Sequence, residues 1–124
     1  MAAARLDFRS LWVVGTLGGE LVGNLGLERD AHPNSEHVAW VGVSVGCEWR
    51  GLGVGSALLA TAVDWAVANG VEKLALGVFP ENARALAFYE RHGFAREGSR
   101  RAHYRRGGQF YDEVLMARFL VPVS

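Results

Sequence analysis

The chain has 124 residues, which is enough for one domain with a hydrophobic core and too few for two. Its 13 basic and 13 acidic residues give a formal net charge of zero, so no overall field favours binding to nucleic acid or to an anionic membrane. The single cysteine excludes an intramolecular disulfide and a metal site built from several cysteines.

The N-terminal residues, Met1–Arg9, contain no continuous apolar stretch of signal-peptide length. No other segment approaches the length of a membrane span. We therefore expect residues 1–124 to form a single soluble domain in the cytoplasm, with no membrane partner, no nucleic-acid partner and no metal ion.

The first half of the chain predicts three strands followed by a helix. Gly18-Gly19 joins the first two strands and suits the positive φ angles of a tight hairpin turn. Apolar residues then recur at helical spacing until Asn69-Gly70 ends the helix. The predicted strands are Leu11–Leu17, Glu20–Leu27 and Val38–Val45, the helix is Gly53–Ala68, and its recurring apolar residues are Val54, Leu58, Leu59, Ala62, Val63, Ala66 and Val67.

The second half predicts a strand, a helix and a final hairpin. Pro80 stops the strand, and Asn82 is a good N-cap for the helix that follows. Gly107-Gly108 provides the turn of the hairpin. The predicted bounds are Lys73–Phe79 for the strand, Ala83–His92 for the helix, and Phe94–Tyr104 and Gln109–Ala117 for the hairpin, which gives a mixed α and β class.

The segment between the third strand and the first helix has the composition of an anion-binding site. Glycines at 51, 53 and 55 remove three Cβ atoms, so a ligand can approach the backbone. The first N–H groups of a helix lack intrahelical partners and lie at the positive end of its dipole. Arg50 adds donors that can bind two phosphate oxygens at once. The structural alternative, a glycine-rich connection with a solvated Arg50, stays open.

Two familiar nucleotide-binding motifs do not match this segment. The dinucleotide fingerprint places its third glycine five residues after its first, but Ser56 stands there when Gly51 is the first. A phosphate-binding loop of the Gly-Lys-Ser/Thr kind needs a lysine at the helix start, and the chain's one lysine is Lys73. Both motifs are therefore excluded.

Two other motifs carry a resemblance to a known family. Arg50, Gly53 and Gly55 match the Arg-x-x-Gly-x-Gly signature of the GNAT superfamily of acetyl-CoA-dependent N-acetyltransferases. Residues Asn82–Phe94 resemble the family's Asn-x-x-Ala-x-x-Phe-Tyr-Glu-x-x-Gly-Phe element, one helix and one strand later. The resemblance runs from about Trp12 to Leu120, nearly the whole chain.

The resemblance implies a fold and an activity. The fold is a GNAT-like central mixed, mostly antiparallel sheet flanked by helices. The family normally begins with a further strand and two helices, which we expect to be missing because only ten residues precede Leu11. The activity is direct transfer of the acetyl group of acetyl-CoA to a primary amine, on a small molecule such as an amino acid or polyamine, or on a protein N-terminus. A catalytically silent acyl-CoA-binding module is the alternative.

The resemblance also implies roles for particular residues. Backbone groups of Val43 and Val45 are expected to bind the pantetheine amides, in a gap between the strand that they end and the strand at 74–78. Tyr89 is expected to donate a hydrogen bond or proton to the leaving thiolate, although it could simply pack against Phe88. Asn82 is expected to orient the cofactor, although an N-cap alone explains its type. The pyrophosphate is expected to bind Arg50, Gly51, Leu52, Gly53, Val54, Gly55 and Ser56.

The general base and the acceptor are left open by the sequence. Many members of the family carry a glutamate on the strand that here spans Val38–Val45, but this strand has none. The weak candidates are Glu36, His37, His103 and Asp112. The five arginines from Arg96 to Arg106 fit a substrate carboxylate, the 3′-phosphate of coenzyme A, or simple solvation of a hairpin. We also expect a homodimer, since the missing elements leave apolar surface to cover.

Overall fold

The computed structural model describes residues 2–6 and 9–123, and the chain divides into two compact units, Met1–Glu72 and Lys73–Ser124. In each unit, antiparallel strands are combined with one α-helix. The predicted mixed class with mostly antiparallel pairing is therefore confirmed.

The first unit contains four strands that pair in sequence order, each antiparallel to the next. Gly18 and Gly19 form the hairpin turn with φ angles of 59° and 81°, as their positions predict. The expectation that no strand precedes Leu11 is corrected, because an N-terminal strand pairs with the strand that contains this residue. The bounds are β1 Ala2–Leu6, β2 Ser10–Leu17, β3 Glu20–Arg29, β4 Val38–Val45 and α1 Val54–Ala68.

Helix α1 packs against β2, β3 and β4. Glycine is needed at Gly23, where a Cβ would lie 2.8 Å from the backbone oxygen of Ser44 and 3.3 Å from the side chains of Val54 and Leu58. The helical residues that this face buries are Leu58, Leu59, Ala62, Trp65 and Ala66. Burial of this apolar surface is the main favourable contribution to the stability of the unit.

A buried arginine connects the loop before β4 to the end of α1. Arg29 is 5% exposed and donates hydrogen bonds to the backbone carbonyls of Glu36 and Asn69. The backbone N–H of Glu72 also donates to the carbonyl of His37, at 2.8 Å. A buried charge is tolerated only when its donors are satisfied, so Arg29 fixes both segments in place.

The second unit is a three-stranded sheet with one helix. The C-terminal strand lies between the other two and is antiparallel to both. Gly107 and Gly108 form the hairpin turn with φ angles of 58° and 79°. The bounds are β5 Lys73–Val78, α2 Ala83–Arg91, β6 Ala95–Arg106 and β7 Gln109–Phe119, and β6 is exposed along its whole length.

The described chain also contains two single turns of 3₁₀ helix, at Pro33–Ser35 and Cys47–Trp49. The sequence predicts the first only as part of a polar loop and the second only as the region after a strand. None of the helices in the described part of the chain is long and apolar enough to cross a lipid bilayer.

Replacing Arg29 with leucine is expected to lower the free energy of unfolding by at least about 2 kcal/mol. Arg29→Leu removes two part-buried hydrogen bonds from a charged donor, and a hydrogen bond of this kind contributes about 1.5–3 kcal/mol. Urea denaturation measures the change as a lower midpoint at unchanged slope. The control is Arg101→Ala, an exposed arginine, which should change the free energy by less than about 0.5 kcal/mol. Equal stabilities for the two variants would contradict the anchoring role.

Candidate active site

The glycine-rich segment between β4 and α1 adopts a conformation that needs its glycines. Gly51 and Gly53 both have a φ angle of 81°, in the left-handed region that side chains disfavour. A Cβ built on either glycine would meet no atom within 4 Å. The backbone here is therefore open to a ligand, and the requirement for glycine comes from its conformation.

Helix α1 begins without a side-chain cap. Its N-cap is Gly53, which has no side chain to accept a hydrogen bond, and its first turn contains no acidic residue. The hydrogen bond from the backbone N–H of Ala57 to the carbonyl of Gly53 is 3.0 Å long, so the N–H groups of residues 54–56 precede the intrahelical pattern. Donors at the positive end of a helix dipole favour an anion.

Arg50 lies beside these amides in the sequence, and its side chain is exposed. It makes no hydrogen bond or ion pair with any residue that the structure describes. Leu52 is also exposed, at 64%. An exposed guanidinium thus lies next in sequence to the backbone N–H groups at the start of α1, and the binding of pyrophosphate by this segment remains a prediction.

Val43 and Val45 lie on the strand that leads into this segment. They pair with Leu25 and Gly23 of β3, and both side chains are half-buried. The structure thus confirms that they are strand residues close to the glycine-rich segment. Their binding of pantetheine through backbone groups remains a prediction.

The other two predicted site residues belong to the second unit. Asn82 is the N-cap of α2, and its side-chain oxygen accepts a hydrogen bond from the backbone N–H of Ala85 at 3.2 Å. Tyr89 lies near the other end of α2, 8% exposed, with its ring centroid 5.2 Å from that of Phe88 and 5.4 Å from that of Phe94. The cap and the aromatic packing are confirmed, while both roles toward the cofactor remain predictions.

A buried carboxylate on β7 was not among the sequence candidates. Glu113 is 7% exposed, and its Oε2 accepts a hydrogen bond from the hydroxyl of Tyr104 at 2.8 Å. The Nε of Arg100 lies 2.9 Å from Oε1 as an ion pair, yet Oε1 accepts no aligned hydrogen bond from the described residues. A Cβ on Gly77 would collide with this carboxylate, so glycine provides the room for it.

The hydrogen bond to Glu113 raises the pKa of Tyr104 above its ordinary value of 10.0. Burial and the negative charge of Glu113 act in the same direction, and the positive charge of Arg100 opposes them. Tyr104 is also held by packing, because its ring centroid lies 5.4 Å from that of Phe79 in an edge-to-face arrangement. The phenol therefore stays protonated and continues to donate to the carboxylate.

A signal for Glu113 was present in the sequence. In a strand over Gln109–Ala117, alternation places Glu113 on the same face as Leu115 and Ala117. A lone carboxylate on a face of that kind predicts a buried, partnered charge.

The four candidates for a general base, Glu36, His37, His103 and Asp112, are all exposed. The shortest hydrogen bond among them is made by Asp112 and stabilises the backbone of β6. Asp112 accepts a hydrogen bond from the backbone N–H of Ala102 at 2.7 Å, where Ala102 has a φ angle of 50° in an irregular part of β6. Glu36 lies 3.6 Å from Arg9 in an ion pair. His37 and His103 are exposed. In the part of the chain that is described, no group of three or more His, Cys, Asp or Glu residues could hold a metal ion.

Comparison of the sequence with known proteins identifies a matching family and similar proteins. A profile described as the acetyltransferase (GNAT) family matches residues 2–94. The L-amino acid N-acetyltransferase AaaT of Escherichia coli (strain K12) is 33% identical over 110 residues. This alignment covers 86% of the chain and 66% of AaaT, so the chain spans slightly less than two thirds of that relative.

Comparison of the structure gives the same fold. The acetyltransferase of the GNAT family from Streptococcus pneumoniae superimposes with a TM-score of 0.84 at 29% identity, over 92% of this chain and 69% of that one. The structure of yncA from Salmonella typhimurium with its cofactor acetyl-CoA gives 0.85 at 19% identity, over 94% and 68%. At that identity the second likeness shows the fold alone. The GNAT-like fold predicted from the two motifs is confirmed.

The raised pKa of Tyr104 predicts an alkaline limit on the hydrogen bond to Glu113. The stabilisation from this bond should be fully present below about pH 10, the unfolded pKa, and lost as the pH rises through the higher folded value. The ultraviolet absorbance of tyrosinate, compared between the wild type and Tyr104→Phe, isolates this titration. In Glu113→Gln the Tyr104 transition should move to lower pH. A transition at the same pH in that variant would show that Glu113 is not the cause.

Proposed function

Because the chain belongs to the acetyltransferase (GNAT) family, we propose that it transfers the acetyl group of acetyl-CoA directly to a primary amine, with the α-amine of an amino acid as the favoured acceptor. The observation that carries this proposal is the uncapped start of α1 behind two left-handed glycines, with Arg50 available beside it. The name of the relative AaaT, an L-amino acid N-acetyltransferase, supports the acceptor.

In the proposed complex, the N–H groups of residues 51–56 bind the pyrophosphate of coenzyme A. An uncapped helix start provides donors without the competition of a side-chain oxygen, and its dipole favours negative charge. The exposed guanidinium of Arg50 adds a charge-assisted contact to the same phosphates. The backbones of Val43 and Val45 hold the pantetheine amides, and Asn82 orients the arm in addition to its role as a cap.

Tyr89 is proposed as the donor to the leaving thiolate. An ordinary phenol has a pKa of about 10 and a thiol about 8.5, so complete proton transfer would cost about 2 kcal/mol. Hydrogen bonding to the developing charge avoids that cost, and a positioned donor of this kind contributes roughly a hundredfold in rate. The packing of the ring against Phe88 and Phe94 supports the role, because it fixes the direction of the hydroxyl.

The pKa of the acceptor's ammonium group favours an α-amine over a lysine side chain. At about pH 7.4, a lysine side chain of pKa about 10.4 is neutral in roughly one molecule in a thousand, whereas the α-amine of a peptide N-terminus, of pKa about 8, is neutral in roughly one in five. In a free amino acid the neighbouring carboxylate stabilises the ammonium form, so the neutral fraction of its α-amine lies between these two. Strand β4 contains no carboxylate between Val38 and Val45. A substrate that is already partly neutral has less need of a strong base at that place.

A catalytically silent acyl-CoA-binding module is the second candidate. The same lack of a carboxylate on β4 favours it. The two candidates differ in one observable, since only the enzyme releases free thiol from acetyl-CoA in the presence of an amine. A screen over amino acids, polyamines and peptides with free N-termini therefore separates them.

The expectations of a cytoplasmic location, a homodimer and a single acetyltransferase domain over residues 1–124 belong to the same proposal. A chain with one cysteine suits a reducing compartment. Exposed apolar side chains on the first unit, Trp12 at 54% and Leu21 at 60%, support a second copy as a partner.

Arg50→Ala is expected to raise the Kd for acetyl-CoA by about tenfold to a hundredfold, because it removes a charge-assisted contact to the phosphates. Isothermal titration measures this directly. Arg101→Ala is the matched control, an exposed arginine outside the proposed site, and should leave the Kd unchanged. An unaltered Kd in Arg50→Ala would remove this residue from the proposed site.

Tyr89→Phe is expected to lower kcat by about a hundredfold while the Kd for acetyl-CoA stays within about twofold, since the lost hydroxyl acts on the leaving group. Thiol release at saturating acetyl-CoA gives kcat, and titration gives the Kd. Circular dichroism checks that the helix is retained. A kcat equal to that of the wild type would eliminate Tyr89 as the donor.

A further inference from the structure

We propose that Arg100, held in place by the buried carboxylate of Glu113, binds the carboxylate of the acceptor. The ligand class is an amino acid with a free α-carboxylate and an apolar or aromatic side chain. This inference rests on the proposed function for the identity of the ligand as acceptor, and it assigns the group that recognises it. Arg100 would be a specificity-determining residue, and Glu113 a positioning residue.

The first step is the burial of Glu113. A carboxylate that is 7% exposed has lost most of its hydration, a cost that must be offset by donors and opposite charge. Tyr104 and Arg100 provide these contacts, at 2.8 Å and 2.9 Å. The absence of a side chain on Gly77 leaves room for the carboxylate on the neighbouring part of the sheet. The position of the Glu113 carboxylate is therefore well defined, and its ion pair restrains the side chain of Arg100.

The second step is the orientation of Arg100. Its Nε lies 2.9 Å from Oε1 of Glu113 in an ion pair without an aligned hydrogen bond, and the structure gives its guanidinium no other partner among the described residues. The side chain is 42% exposed, so the two terminal nitrogens remain accessible while the inner nitrogen is paired. An arginine that an ion pair restrains on one side can present its remaining planar donors to a second carboxylate.

The third step is the surface around Arg100, which we name the β7 face: Phe79, Arg100, Tyr104, Arg106, Tyr111 and Glu113. Cross-strand pairing sets Arg100 opposite Glu113 and Tyr104 opposite Tyr111. The Phe79 ring contacts both tyrosine rings edge to face, with centroids 5.4 Å and 6.2 Å apart. Arg106 lies over the ring of Tyr111, at 5.3 Å.

The composition of the β7 face selects the ligand. Its two arginines outweigh its one carboxylate, so the face favours an anion over a free ammonium group. Phe79 and Tyr104, 37% and 42% exposed, place apolar rings on the same face as the available guanidinium. An amino acid with an apolar side chain can satisfy both features at once, whereas its amide offers no negative charge.

Binding is tested separately from turnover. L-Phenylalanine and L-phenylalaninamide are titrated calorimetrically into the protein saturated with coenzyme A. The wild type should bind the acid at least about tenfold more tightly than the amide, because only the acid forms the charge-assisted pair. Arg100→Ala should abolish this preference and leave the affinity for coenzyme A unchanged. Arg101→Ala, the matched control, should keep both.

Arg100→Ala leaves the buried carboxylate of Glu113 without its ion-pair partner and can therefore fold poorly. Two further variants keep the test decisive in that case. The double variant Arg100→Ala with Glu113→Gln removes both charges and should also lose the preference. Gly77→Ala keeps both charged residues but displaces the Glu113 carboxylate, so it should weaken binding of the acid several-fold while the amide is unaffected. A structural role alone would change the melting temperature without changing the ratio of acid to amide.

The outcomes separate the two proposals. Equal affinities of the wild type for acid and amide, or a preference that survives in the folded double variant, would overturn the inference. A loss of coenzyme A affinity in Arg100→Ala would also overturn it, since Arg100 would then bind the 3′-phosphate. A preference that depends on Arg100 supports it even if no thiol is released with any amine. That last result would contradict the proposed acetyl transfer alone.

Discussion

The proposed function depends on one constraint, a helix that begins with backbone donors that no side chain of its own caps. Gly53, as the N-cap of α1, cannot accept a hydrogen bond through a side chain, and its φ angle of 81° excludes most residues that could. Gly51 has the same angle, so two residues of the connection between β4 and α1 adopt the left-handed conformation. In the proposed complex a phosphate ligand supplies acceptors for these donors, so the local fold and the proposed binding of the cofactor have the same physical basis.

The rest of the first unit holds that helix in position. Gly23 leaves room for the side chains of Val54 and Leu58 against the strands, and buried Arg29 ties the end of α1 to the loop before β4. The second unit contains a buried carboxylate in its sheet, Glu113, which has the phenol of Tyr104 and the guanidinium of Arg100 as partners. In the first unit, the backbone N–H groups at the start of α1 are the proposed donors to the cofactor. In the second unit, the ion pair with Glu113 restrains Arg100, whose outer nitrogens are proposed to bind the acceptor.

Features set by local chemistry could be predicted from the sequence. The hairpin at Gly18-Gly19 and the cap at Asn82 follow from backbone conformation and from a side-chain acceptor within a few residues.

Features set by packing could not be predicted from the sequence. The helical period places Val67 among the recurring apolar residues, yet it is 61% exposed, while Trp65, outside that set, is 9% exposed. The alternation of the last strand indicates that Glu113 is buried, but its partners could not be predicted because they come from β6. Strand β1 could not be predicted because its five residues carry no turn signal.

The most direct test of the central claim is a titration of ¹⁵N-labelled protein with coenzyme A, followed through the amide chemical shifts. The amides of residues 51–56 are expected to show the largest changes and to saturate at the Kd measured by calorimetry, because the pyrophosphate binds their N–H groups. Saturable binding of coenzyme A that leaves these amides unshifted, with the largest changes elsewhere in the chain, would contradict the assignment of this segment as the cofactor site.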